Sequence, residues 1–147
     1  MMACLMREAI MHISGQCHCG YVKFEAEADP SRVGICHCTD CQRLTGSPFR
    51  VTLLVSRADL KILDNQPKLY RKVGDNGRAR RQYFCPECGS PLFTSGEGED
   101  EQEWGIRWGS INERDVLAPK AQIWARSSVA WLSRIDDLPS HEKDYVE

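Results

Sequence analysis

Three thiols fall within six residues at Cys36-His37-Cys38-Thr39-Asp40-Cys41, a C-x-C-x-x-C run. Two pairs frame it, Cys17-His18-Cys19 upstream and Cys85-Pro86-Glu87-Cys88 downstream. Seven of the eight cysteines therefore stand in tight groups of two, three and two. Clustered thiolates suit a soft or borderline metal, and zinc takes four ligands, with sulfur at about 2.3 Å. The outer pairs, Cys17, Cys19, Cys85 and Cys88, make one complete set of four, as in a closed structural site. The middle group, Cys36, Cys38 and Cys41, is one ligand short. A zinc held by three protein ligands with its fourth position open is the catalytic arrangement. Two zinc ions per chain are expected.

The fourth position of the second site has two readings. A histidine closes it, from His12, His18, His37 or His141, and the site is structural. Otherwise it stays exchangeable. His18 and His37 lie between two thiols, so extended backbone turns them away from the metal. Three thiolates leave zinc a weak activator of water, whereas a soft incoming thiol suits such a site. A thiol bound there ionises and becomes a nucleophile at neutral pH. A disulfide framework is the competing use of an even cysteine count. In 147 residues, however, the cysteines are sparse for a disulfide scaffold, and closing a C-x-C pair on itself is strained.

Positioning these groups falls to short strands. Tyr21–Glu27 partly alternates bulky with charged residues and reads as a half-buried strand, broken at Asp29-Pro30. Cys17 and Cys19, two apart, are expected on one side of extended chain. Thr39 or Asp40 is placed to cap a helical turn over Cys41–Thr45, ended by Gly46, with its first N–H groups aimed at the thiolates. Phe49–Val55, Leu60–Leu63, Leu69–Val73 and Arg78–Phe84 read as strands, with Gly74-Asp75-Asn76-Gly77 a hairpin turn. The last strand delivers Cys85, and Pro91–Thr94 leaves the knuckle. Trp104–Trp108 and Gln122–Trp124 are expected to add strands and most of the aromatic core. Seven or eight short strands and no long helix make the chain all-β. Residues 1–12 read as a loose leader containing the lone Cys4, 13–135 as a single domain and 136–147 as a polar tail. Translation starting at Met11 is expected to give the same melting temperature and zinc content as the whole chain.

Bulk properties narrow the function classes. A formal charge of −2 gives no general attraction to nucleic acid or anionic membrane, and no apolar run is long enough for a membrane-spanning helix. The cysteine usage fits a reducing, cytoplasmic setting. Lys68, Arg71, Lys72, Arg78, Arg80 and Arg81 form a basic group, read as a solvated face balanced by the acidic loop 97–103, with a docking surface for an anionic thiol as the alternative.

Three segments together carry a resemblance. G-Q-C-H-C-G, C-H-C-T-D-C-Q-R-L-T-G-S-P-F and F-C-P-E-C-G-S-P-L-F, in this order, are similar to the family of glutathione-dependent formaldehyde-activating enzymes, which includes centromere protein V. W-G-S-I-N and A-P-K-A-Q-I-W-A-R-S-S-V-A-W-L fit the same pattern. The resemblance implies a zinc-clipped β-tent fold, a structural zinc on Cys17, Cys19, Cys85 and Cys88, and a catalytic zinc on Cys36, Cys38 and Cys41. It also implies carbon–sulfur lyase chemistry, glutathione adding to formaldehyde to give S-hydroxymethylglutathione. A glutathione-like thiol and a small aldehyde are the expected partners, with Arg43 or the basic group receiving the thiol's carboxylates. The alternative from another class is a non-catalytic zinc module that binds a protein partner.

Overall fold

The computed structural model describes residues 9–145. Among the described residues ten strands form two sheets, and the single α-helix, α1 (Thr39–Thr45), is seven residues long. The all-β expectation, with one short helix beside the three-thiol run, therefore holds. The small sheet has the order β1 (Met11–Gln16), β2 (Lys23–Ala28), β5 (Leu60–Ile62). The large sheet has the order β10-β3-β4-β9-β8-β7-β6, built from β3 (Val33–Cys36), β4 (Arg50–Ser56), β6 (Lys68–Val73), β7 (Ala79–Phe84), β8 (Pro91–Gly96), β9 (Glu103–Arg107) and β10 (Ala121–Ile123). Every pairing is antiparallel except that of β10 with β3.

The core lies between the sheets. Side chains alternate along a strand, so register decides which residues share a face. Val33, Leu53, Ile106 and Phe93 stand opposite one another across β3, β4, β9 and β8, and all are buried. The small sheet meets them with Ile13, Phe24 and Ala26. Phe24 and Phe93 meet edge to face with centroids 5.1 Å apart, a favourable aromatic arrangement. Trp104 joins them, stacked on Tyr83 at 4.7 Å.

The opposite face of the large sheet is polar. Cys36 stands across from Arg50, Thr52 from Arg107, and Thr94 from Gln82. Helix α1 is tied to this sheet by Lys72 of β6, whose Nζ donates to Asp40 at 2.6 Å.

Several expectations need correction. Met11 and His12, assigned to the leader, open strand β1, and His12 pairs with Glu27 at 2.8 Å. Cys4 and the rest of residues 1–8 lie outside the described part. Gln122-Ile123-Trp124 adds nothing to the aromatic core: Trp124 is 44% exposed and, past the end of β10, has φ +56°. Trp108 follows β9 in a 3-10 turn and packs on the edge of the core, its Nε1 donating to Leu117 O at 3.0 Å. The basic group is largely neutralised, as its solvated-face reading holds. Arg71 and Arg81 share Glu97, Arg81 also reaches Glu101, and Arg78 pairs with Asp100. Among the described residues, no helix is long and apolar enough to cross a membrane.

Candidate metal centres and the adjoining cleft

Cys17 and Cys19 sit in a turn rather than on extended chain, with Gly20 N donating to Cys17 O at 3.2 Å. The turn still brings their sulfurs to 3.7 Å, and Cys19 Sγ lies 3.8 Å from Cys85 Sγ. Cys88 completes the set, all four sulfurs lying within 4.8 Å of one another. Sulfurs bound about 2.3 Å from a tetrahedral centre are separated by about 3.8 Å, so the spacing fits zinc. Such sites use backbone donors to support their sulfurs. Here Val22 N donates to Cys17 Sγ at 3.3 Å, and the N–H groups of Glu87 and Cys88 donate to Cys85 Sγ at 3.3 and 3.4 Å. Gly89 closes the knuckle at φ +79°, its N–H donating to Cys85 O at 2.9 Å. The Ser90 hydroxyl, followed by the Ser90 backbone N–H, brings the Cys88 thiol down to about 5.

Cys36, at the end of β3, Cys38 and Cys41 form the second group, again within 4.8 Å. Cys38 is the N-cap of α1, in place of the expected Thr39 or Asp40, and Cys41 N donates to its sulfur at 3.3 Å. A sulfur here takes the role usually filled by a serine or aspartate oxygen. Gly46 ends the helix at φ +63°, as its sequence position suggests. The hydrogen bond from Cys41 lowers the Cys36 thiol, while the same bond and then burial raise Cys41. Three sulfurs this close repel one another as anions. A divalent cation removes that conflict, so the donor set fits zinc.

No histidine, aspartate or glutamate joins either sulfur group among the described residues. His37, the nearest in sequence, is buried and turned elsewhere. Its Nε2 meets Gln122 Oε1 at 2.7 Å, and its ring packs edge-on to Phe49. Its backbone N–H donates to Ile123 O at 3.1 Å, and Gln42 Nε2 donates to Ser127 O at 3.1 Å. Strand β10 and the segment after it thus hold both sides of the three-thiol group. All seven described cysteines are free of disulfides.

The family model for the glutathione-dependent formaldehyde-activating enzyme matches residues 12–127. The chain belongs to that family. Proteins of Aspergillus flavus and Aspergillus oryzae that carry the family's name are each 34% identical over 58 residues, which is 40% of this chain and 29% of theirs. The chain therefore matches less than a third of those relatives' length. A Rhodobacter sphaeroides protein of known crystal structure superposes with a TM-score of 0.57 at 23% identity, covering 76% of this chain and 99% of that one, a likeness of fold.

Two residues that sequence reasoning missed stand on the polar face. Arg50 is 4% exposed and Arg107 8%, and no carboxylate pairs with either among the described residues. Both donate to the one amide oxygen of Gln82, and Arg107 Nη1 donates to Thr52 Oγ1 at 2.8 Å. The Nε atoms of both guanidinium groups are buried without a partner. Burial, and then the Arg50 charge, disfavours the Arg107 cation, whereas the cysteine sulfurs act the other way on both arginines. The available signal was an arginine inside each of two otherwise apolar strands, Phe49–Val55 and Trp104–Trp108, since arginine is almost never fully buried unless paired. Arg50 and Arg107 line a cleft of about 670 Å³ and also a smaller one of about 180 Å³ beside Leu44 of α1.

Proposed function

We propose that the protein is a zinc-dependent carbon–sulfur lyase that joins a glutathione-like thiol to a small aldehyde, in the family's case formaldehyde, and reverses the step. The observation that carries this reading is the second sulfur group, which stops at three. Cys17, Cys19, Cys85 and Cys88 would hold a structural zinc, and Cys36, Cys38 and Cys41 a catalytic one. Bound zinc would supply, at its fourth position, a place where a thiol ionises near neutral pH. The chain's own part is orientation and charge. The Cys38 sulfur is held by the first turn of α1, and α1 is anchored through Asp40 to Lys72. Arg50, directly across the sheet from Cys36, places a positive charge beside the anionic group. The forward reaction balances without redox: the thiol sulfur bonds to the carbonyl carbon, the thiol proton leaves, and the carbonyl oxygen gains a proton.

Calorimetry with glutathione and its S-methyl analogue, in two buffers of different ionisation enthalpy, tests the reading. Glutathione is expected to bind at least about tenfold tighter, with net proton release, since a thiol must lose its proton to become a ligand. Its apparent affinity should rise with pH towards the free thiol's pKa of about 8.5 and then level off. Equal affinity for the two ligands with no proton release would overturn the reading and favour the protein-binding zinc module.

A further inference from the structure

The polar face of the large sheet carries two buried cations that the neighbouring three-thiol group alone does not balance. A divalent metal with three thiolates sums to one negative charge, and Arg50 and Arg107 bring two positive ones. One positive charge is left over in a buried place, where an unpaired ion is costly. No carboxylate stands in the clefts to offset it. The two clefts that share Arg50 and Arg107 are lined without a single aspartate or glutamate, in a chain with 21 acidic and 19 basic residues. A third arginine, Arg114, stands on the wall of the larger cleft, its guanidinium 6.0 Å from the Trp108 ring. Gln82 already spends its amide oxygen on both arginines, which draws the two guanidinium groups to one acceptor and leaves each Nε–H without a partner.

We infer that Arg50 and Arg107, which line the larger cleft and share a sheet face with Cys36, form a carboxylate subsite, and that the ligand taken there is an anionic thiol held by its carboxylate as well as by its sulfur. The inference rests on the proposed function for the sulfur half only. Guanidinium groups suit the task because their planar forks match a carboxylate's two oxygens. The sheet register supplies the specificity, setting Arg50 opposite Cys36 and Arg107 opposite Thr52 on the same face. The carboxylate receptor is thus the buried pair. The 68–81 basic group is largely engaged by Asp40 and the 97–101 acids, and Arg43 is exposed to solvent and lines neither cleft.

The test crosses two changes in the ligand. Glutathione and S-methylglutathione are each titrated as the free acid and as the diethyl ester into the zinc-loaded protein and into Arg107→Gln. The free acids should bind about ten- to one-hundredfold tighter than their esters, as a charge-assisted pair implies, and Arg107→Gln should shrink that ratio to less than about threefold. On the unaltered, nitrogen-labelled protein, S-methylglutathione should shift the Arg50 and Arg107 Nε–H resonances and its diethyl ester should leave them in place. This readout needs no variant and stands if Arg107→Gln fails to fold. Acid and ester binding alike, or a preference that survives in folded Arg107→Gln, would overturn the subsite. S-methylglutathione keeps its carboxylates, so a failure of the thiol reading alone leaves the acid-to-ester ratio intact and is told apart.

Discussion

Cys85→Ser is expected to leave little soluble, folded protein, whereas Cys38→Ser should fold normally and lose only the second metal. Cys85 is wholly buried, and its sulfur accepts two backbone N–H groups of the knuckle. Its group joins a turn near residue 17 to a hairpin near residue 85, so a metal there closes a long loop and contributes folding free energy directly. Structural zinc in small domains supplies about 10–16 kcal/mol of apparent binding free energy, comparable to the whole stability of a domain, about 5–15 kcal/mol. Cys36, Cys38 and Cys41 lie within one six-residue run that is also fastened by backbone pairing to β4 and β10. Cys38→Ser removes a metal-binding sulfur but keeps the helix cap, because a serine oxygen can accept from Cys41 N in place of the sulfur. The measurements are metal content per chain, near-ultraviolet circular dichroism and glutathione affinity. Two zincs should fall to one in Cys38→Ser, with thiol binding lost. If both variants unfold to the same extent, the division of roles between the two groups is wrong.

Gly15→Ala should destabilise the fold by about 3 kcal/mol, at the upper end for overpacking, and lower the melting temperature by roughly 10 °C. A Cβ at Gly15 would stand 2.2 Å from Phe24 Cζ and 2.3 Å from Ser110 O. The Phe24 ring cannot yield easily, because it is buried against Phe93, and Ser110 O belongs to the backbone. Gly34→Ala is the control. Its Cβ would meet nothing closer than Ala121 O at 3.7 Å, an ordinary contact, and its melting temperature should stay near that of the parent. Equal melting temperatures for the two variants would show that β1 and the 108–110 turn are not packed on Phe24 as described.

What could be read from the sequence was whatever is local. The seven clustered thiols, the Gly46 helix end and the hairpin at 74–77 each carry their signal within a few residues, and the structure places them accordingly. Strand β1 was missed because Gly15 removes a bulky residue from the inward row of Ile13, and the reason for that glycine lies in Phe24 and Ser110, far along the chain. Strand β3 was hidden by its length, four residues including a glycine. The Cys38 cap escaped notice because a cysteine assigned to metal was not weighed as a helix cap. Arg50 and Arg107 could be seen as oddities within apolar strands, but their meeting depends on β4 pairing with β9 at one register. No local pattern announces that.

The two faces of β4 make the link before it intolerant of changes in length. Arg50 and Thr52 stand on the polar face while Leu53 and Val55 fill the core, and the helix of the three-thiol group ends only a few residues earlier, at Gly46. One residue inserted or deleted between Gly46 and Arg50 would either shift α1 and its sulfurs away from the sheet or rotate β4 by half a repeat. The second outcome would send a guanidinium into the Phe24–Phe93 core and leucine into the cleft. The hairpin at 74–77, exposed and bordered by edge strand β6, bears no such double duty. Among descendants of one ancestral gene, indels should therefore gather at that hairpin and be purged from 46–50.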